Sequence, residues 1–152
     1  MVETAAGLFT IGVFQDLAWA EKGLQALRAQ GFTPDVLSLI VKDSSEAAGF
    51  AEQLFGEPAV TMEIRGVGAA RVRGPLIAAL QGADQGLLKQ GMAGTANRVG
   101  FQAHDGRIFE TLTSRGGVLV AITSDARAAD ALALLHSYGG GNAAIGAWAG
   151  RV

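Results

Sequence analysis

Arg65, Arg71 and Arg73 form the one local cluster of cations in the chain, and Gly66, Gly68 and Gly74 are interleaved with them. Guanidinium forks beside loosely held glycine amides match the geometry of a phosphate or carboxylate. Arg71 and Arg73 alternate across Val72, so an extended segment points both to the same side. The three arginines are therefore the candidate anion-binding residues. The plainer alternative is a solvated loop in which they pair with Glu57 or Glu63.

Other groupings are less complete. Gly66-Val67-Gly68 after a possible strand resembles the start of a dinucleotide-binding turn, but Arg71 stands where the third glycine of G-x-G-x-x-G belongs. A long side chain there obstructs the close helix–strand packing that this glycine permits. His104, Asp105 and Glu110 are acid–base or metal-ligand types, but a metal needs about three converging ligands. The remaining histidine, His136, lies far along the chain. Asp105 reads more simply as an acidic residue at a helix start, favourable to the dipole. Asp16 and Ser124 each follow a strand and read as helix N-caps. Ser114, Ser124 and Ser137 lack the G-x-S-x-G context of a nucleophile elbow. No catalytic residue, cofactor or metal is implied.

Composition narrows the function classes. The 152 residues carry a net charge of −2 and a pI near 5.6, without the basic excess that phosphate neutralisation demands of nucleic-acid binders. No cysteine is present, which removes disulfides, thiolate nucleophiles and Cys-based zinc sites. The first residues, Met1-Val2-Glu3-Thr4, lack the pattern of a secretory signal. No uncharged apolar run approaches the ~18 residues of a membrane span. A cytoplasmic protein is the expectation. The 28 Ala and 22 Gly make up a third of the chain, and glycine at that level points to close backbone packing or flexible turns.

The elements that must position these residues fall into three parts of one domain: a repeat over 8–42, an insertion over 43–115 and a second repeat over 116–150. Leu8 to Phe14 predicts a buried strand. Asp16 caps a helix with Leu17, Ala20, Leu24 and Leu27 inward, Gly31 closes it, and Val36 to Val41 predicts the second strand. A shift of 108 residues reproduces this pattern: Val118 to Ile122, Ser124, Ala128, Leu132, Leu135 and Gly139, then Ala143 to Ala149 with Trp148. Two such units predict an α+β fold with a ferredoxin-like sheet, each crossover skipping a strand. The runner-up is an open parallel α/β sheet.

The insertion reads as mainly helical and rich in Ala and Gly. Asp43 and Glu46 resemble a capping pair for a helix through Ala47, Phe50, Ala51, Leu54 and Phe55, ended by Gly56 and Pro58. Val60 to Ile64 predicts a short strand, and Gly74-Pro75 the start of a helix. Ala78, Gly82, Gly86 and Gly94 share one four-residue ridge that lets a second helix come close. His104 to Arg115 predicts a helix with Ile108, Phe109 and Leu112 inward. Both strands of the first repeat are apolar on both faces, whereas a ferredoxin-like sheet carries helices on one face only. Either the insertion or a second subunit must cover the other face, and a homodimer through part of it is the expectation.

Three stretches resemble the general stress, heat-induced stress protein family. They are Ile11-Gly12-Val13-Phe14-Gln15-Asp16 with Ala20-Glu21, Leu24, Leu27 and Gly31-Phe32; Gly66-Val67-Gly68 leading to Gly74-Pro75-Leu76; and Arg115-Gly116-Gly117-Val118-Leu119-Val120. The resemblance implies a bacterial stress-associated protein and carries no catalytic residue to transfer. Two functions follow as expectations. The first is a non-enzymatic, self-associating interaction or assembly protein. The alternative is a sensor or enzyme for a small anionic metabolite or nucleotide, with its pocket between sheet and insertion.

Overall fold

Strand β1 (Phe9–Phe14) and helix α1 (Leu17–Ala29) form as the apolar spacing predicts. The Asp16 carboxylate accepts the Trp19 amide at 2.9 Å, the bond expected of an N-cap and worth about 0.5–2 kcal/mol. A 3₁₀ turn (Pro34–Val36) leads into β2 (Leu37–Lys42). Helix α2 (Ser45–Phe55) begins one residue later than the Asp43–Glu46 pairing predicts. Its cap is Ser44, whose hydroxyl accepts the Ala47 amide at 3.0 Å, while Asp43 turns to Arg71. The computed structural model describes residues 9–56 and 59–123, together with 130 and 133.

The insertion contributes strands as well as helices. β3 (Val60–Ile64) and β4 (Gly68–Arg73) form a hairpin, followed by α3 (Pro75–Gln81), α4 (Gly86–Thr95), a 3₁₀ turn (Ala96–Val99) and α5 (Ala103–Ser114), before β5 (Val118–Thr123). Period-two alternation explains β4: Ala70 and Val72 enter the core while Arg71 and Arg73 face the other way. Arginines on intervening positions disguise this segment as a loop.

The sheet order is β1-β5-β2-β4-β3, and every neighbouring pair is antiparallel. This is an α+β architecture and overturns the parallel-sheet alternative. β1 and β2 both run antiparallel to β5 between them, so the first crossover does skip a strand. Ser124, His136 and the predicted strand Ala143 to Ala149 lie outside the described residues.

Helices cover both faces. One core joins Ala20, Leu24 and Leu27 of α1 and Ala47, Ala51 and Leu54 of α2 to Leu39, Val41, Val118, Val120 and Ile122. The other joins Leu76 and Leu80 of α3, Leu87 and Met92 of α4, and Phe109 and Leu112 of α5 to Ile11, Val13, Ile40 and Leu119. The face that either the insertion or a second subunit had to cover is thus covered by α3–α5 of the insertion. Strands apolar on both sides have the burial pattern of a sheet sandwiched between helical layers.

The small-residue ridge is not one helix. Gly82 (φ 58°) ends α3, Gln85 (φ 56°) is left-handed, and Gly91 (φ 72°) breaks α4. Of the ridge, Gly86 does approach α3, where a Cβ would lie 2.8 Å from the Leu80 carbonyl oxygen, and a closer approach occurs at Gly106 of α5, where a Cβ would lie 2.5 Å from the Met92 carbonyl oxygen and 2.8 Å from the Ala96 Cβ. Among the described residues, no helix is long and apolar enough to cross a membrane.

Candidate ligand cleft

The three candidate arginines serve three places. Arg65 lies in the β3–β4 turn, and its Nη1 donates to the Lys89 carbonyl at 3.0 Å. Its own amide donates to the Leu87 carbonyl at 3.0 Å, so Arg65 closes the first half of α4, where the last carbonyls lack partners within the helix. Arg71 donates from Nε to Asp43 at 2.7 Å. Arg73 stacks over the Phe55 ring, 5.4 Å from its centroid. Alternation does put Arg71 and Arg73 on one face of β4, whereas Arg65 is turned to α4. Glu57 lies outside the described residues.

Arg73 alone of the three lines a cleft of about 750 Å³ at the outer corner of the sheet. Its floor is Met62 and Val72 of β3 and β4, Val60 lies at its mouth, and Ile77 and Ala78 of α3 form one wall. Phe55, Pro34 and Asp35 close the opposite side. The local sequence builds each part: Gly74-Pro75 turns the chain from β4 into α3, and Ser38 pins that turn by accepting the Leu76 amide at 2.9 Å. Ser38 is buried and is the one polar residue in Leu37-Ser38-Leu39-Ile40-Val41. That interruption was the signal in the sequence for its positioning role. Val60, Met62, Phe55 and Ile77 were not identified from sequence as cleft residues, because apolar types carry no chemical signature until they share a wall.

The polar groups within the cleft are few. The Asp35 carboxylate accepts the Thr33 hydroxyl, and the Gln81 side-chain oxygen accepts the Leu87 amide at 2.9 Å. An apolar cleft of this size with a few polar groups at its rim is the usual form of a small-molecule site.

The acid–base grouping disperses. Asp105 completes a capping box with Gln102 at the start of α5. Glu110, one helical face further on, reaches the break in α4, where Oε1 accepts the amides of Met92 at 2.9 Å and Ala93 at 3.3 Å. No group of three or more His, Asp or Glu able to hold a metal occurs among the described residues. Gly66-Val67-Gly68 is the hairpin turn and runs into a strand, not a helix, so it lacks the context of a dinucleotide site.

An ion pair with a shifted carboxyl lies beside Gln81, at the end of α3. Arg98 grips Asp84 through both terminal guanidinium nitrogens, at 2.9 and 2.7 Å, and also donates to the Leu80 and Gln81 carbonyls at 2.9 and 3.3 Å. The Arg98 hydrogen bond holds the Asp84 carboxyl below its ordinary range, and Asp84 in turn raises Arg98. This pair closes the end of α3 and is structural.

Compared with protein-family models, curated proteins and solved structures, the chain matches none.

Proposed function

We propose that the chain is a small-molecule binding module whose cleft takes an apolar body and whose Arg73 takes that ligand's single anionic group. The observation that carries this reading is an arginine at the rim of an otherwise mainly apolar cleft of about 750 Å³, between β3, β4 and α3. Apolar burial supplies affinity in such a site and the charge fixes orientation. A sensor or carrier of a small organic anion fits this arrangement better than an assembly protein using a bare sheet face, because α3–α5 occupy that face. The reading narrows the anion site from Arg65, Arg71 and Arg73 to Arg73.

The finer architecture belongs to the same proposal. A second βαβ unit from Val118 onward would complete a ferredoxin-like sheet, supported by the split first crossover and by the 108-residue correspondence. A stress-associated setting is supported by the three stretches that resemble the general stress family.

Native and denaturing mass spectra of the purified protein, recorded side by side, test for a retained ligand. Titration with 8-anilinonaphthalene-1-sulfonate, an apolar anion, tests the site itself. Saturable binding is expected to weaken about tenfold in Arg73→Gln, the loss of one charge-assisted contact. It should also weaken in Ala78→Trp, which narrows the cleft from the α3 wall. Binding that ignores both substitutions refutes the proposal.

A further inference from the structure

β3 is the outermost strand of the sheet among the described residues, hydrogen-bonded to β4 on one side. Its other edge offers a row of backbone donors and acceptors, which proteins normally shield with Lys, Pro or a bulge. Val60-Thr61-Met62-Glu63-Ile64 contains neither Lys nor Pro, and its register with β4 is unbroken. One end of the edge is apolar, while Thr61 and Glu63 are exposed along it. Of the three exposed large hydrophobic side chains in the described residues, Val60 is the most exposed at 58%, and Leu88 at 42% is on α4. The Leu87 carbonyl of α4 accepts the amide of Arg65, immediately after β3. Val60 thus marks one end of the edge and Leu88 adjoins the other.

We propose that two copies of the chain pair antiparallel along β3 about a twofold axis at Met62, joining two five-stranded sheets into one. Antiparallel pairing on this axis sets Val60 opposite the second copy's Ile64 and brings it beside the second copy's α4. Each exposed apolar end then meets the other twice, as an isologous interface requires. The charges agree. Within one chain Thr61 is opposite Arg71 and Glu63 is opposite Ala69. Pairing places the second copy's Glu63 opposite Thr61, in the same row and on the same face as Arg71. Alternate strands lie roughly 10 Å apart, a gap that arginine and glutamate side chains span across the short threonine. Arg71 keeps Asp43 and gains a second carboxylate. The occupant is a second copy because this strand supplies both halves of the match. The pairing also sets the second copy's α4 beside the mouth of the cleft at Val60, yet it stands whether or not the cleft holds a ligand.

Sedimentation equilibrium of the full chain, up to about 100 μM, reads the association directly. The expected result is a dimer whose dissociation constant rises at least about tenfold in Val60→Lys, with an unchanged circular-dichroism melt because Val60 is exposed. Glu63→Lys should weaken the dimer similarly. The chain has no cysteine, so Met62→Cys provides a clean second test: mild oxidation should cross-link it into dimers, while Gln25→Cys on α1 should remain monomeric on a denaturing gel. A wild-type monomer throughout the range overturns the proposal. So does a dimer indifferent to Val60→Lys, or a Met62→Cys variant that does not cross-link.

Discussion

Arg65 and Glu110 close opposite sides of one break in α4. The Arg65 guanidinium takes the Lys89 carbonyl at 3.0 Å and the Glu110 carboxylate takes the Met92 amide at 2.9 Å. Cation meets carbonyls and anion meets amides, the arrangement that the helix dipole favours at each end. Gly91 permits it twice over: its φ is 72°, and a Cβ there would lie 2.5 Å from Glu110 Oε1. Arg65 and Glu110, 45 positions apart and from different elements, thereby hold the chain's glycine-rich middle in one shape.

Removing the carboxylate leaves backbone amides without their acceptor. Glu110→Ala should cost about 1–3 kcal/mol in urea denaturation, and Glu110→Gln, which keeps a side-chain oxygen, should cost less. Equal losses in the two variants would mean that packing matters at this position and capping does not.

Gly106→Ala tests the contact between α5 and α4. Its Cβ would lie 2.5 Å from the Met92 carbonyl oxygen, and a backbone neighbour cannot swing aside. Overpacking of this kind costs about 1–3 kcal/mol, despite alanine's better helix propensity. A thermal melt at or above that of the wild type would contradict the close approach.

The Asp84–Arg98 pair gives stability a pH signature. The Arg98 hydrogen bond lowers the folded-state pKa of Asp84 from 3.8. The pair's contribution is therefore complete above the unfolded value and is lost as pH falls through the lower folded one. Asp84→Asn should be less stable than wild type at neutral pH, and the two should converge as pH drops below 3.8. A gap that stays constant into acid would rule out this linkage.

Thr113 offers a stabilising change. It is buried on α5, and its hydroxyl has no hydrogen-bond partner among the described residues. Thr113→Val removes that unpaired group while keeping the branched shape, and should raise stability by about 1 kcal/mol. A lower melting temperature would mean that the hydroxyl is paired after all.

The sequence by itself determined the local elements, because their causes are local. Apolar periodicity placed β1, α1 and β2, Asp16 capped where its spacing required, and Pro75 opened α3. The α+β class followed from the same patterns. Alternating apolar and arginine positions hid β4, since only one of its faces enters the core. The small-residue ridge misled for a related reason: glycine at helical spacing is equally compatible with breaks, as at Gly82, and Glu110 and Arg65, arriving from elsewhere, hold a further break at Gly91, beside the ridge. Tertiary structure also decided the fate of the arginines. Sequence spacing told that Arg71 and Arg73 share a face, but which of them meets Asp43, which stacks on Phe55, and which caps α4 depends on elements distant along the chain. The cleft is a product of the fold in the same sense. Val60, Met62, Phe55 and Ile77 are ordinary apolar residues until β3, α2 and α3 converge, and convergence of separate elements is set by packing, which no single segment encodes.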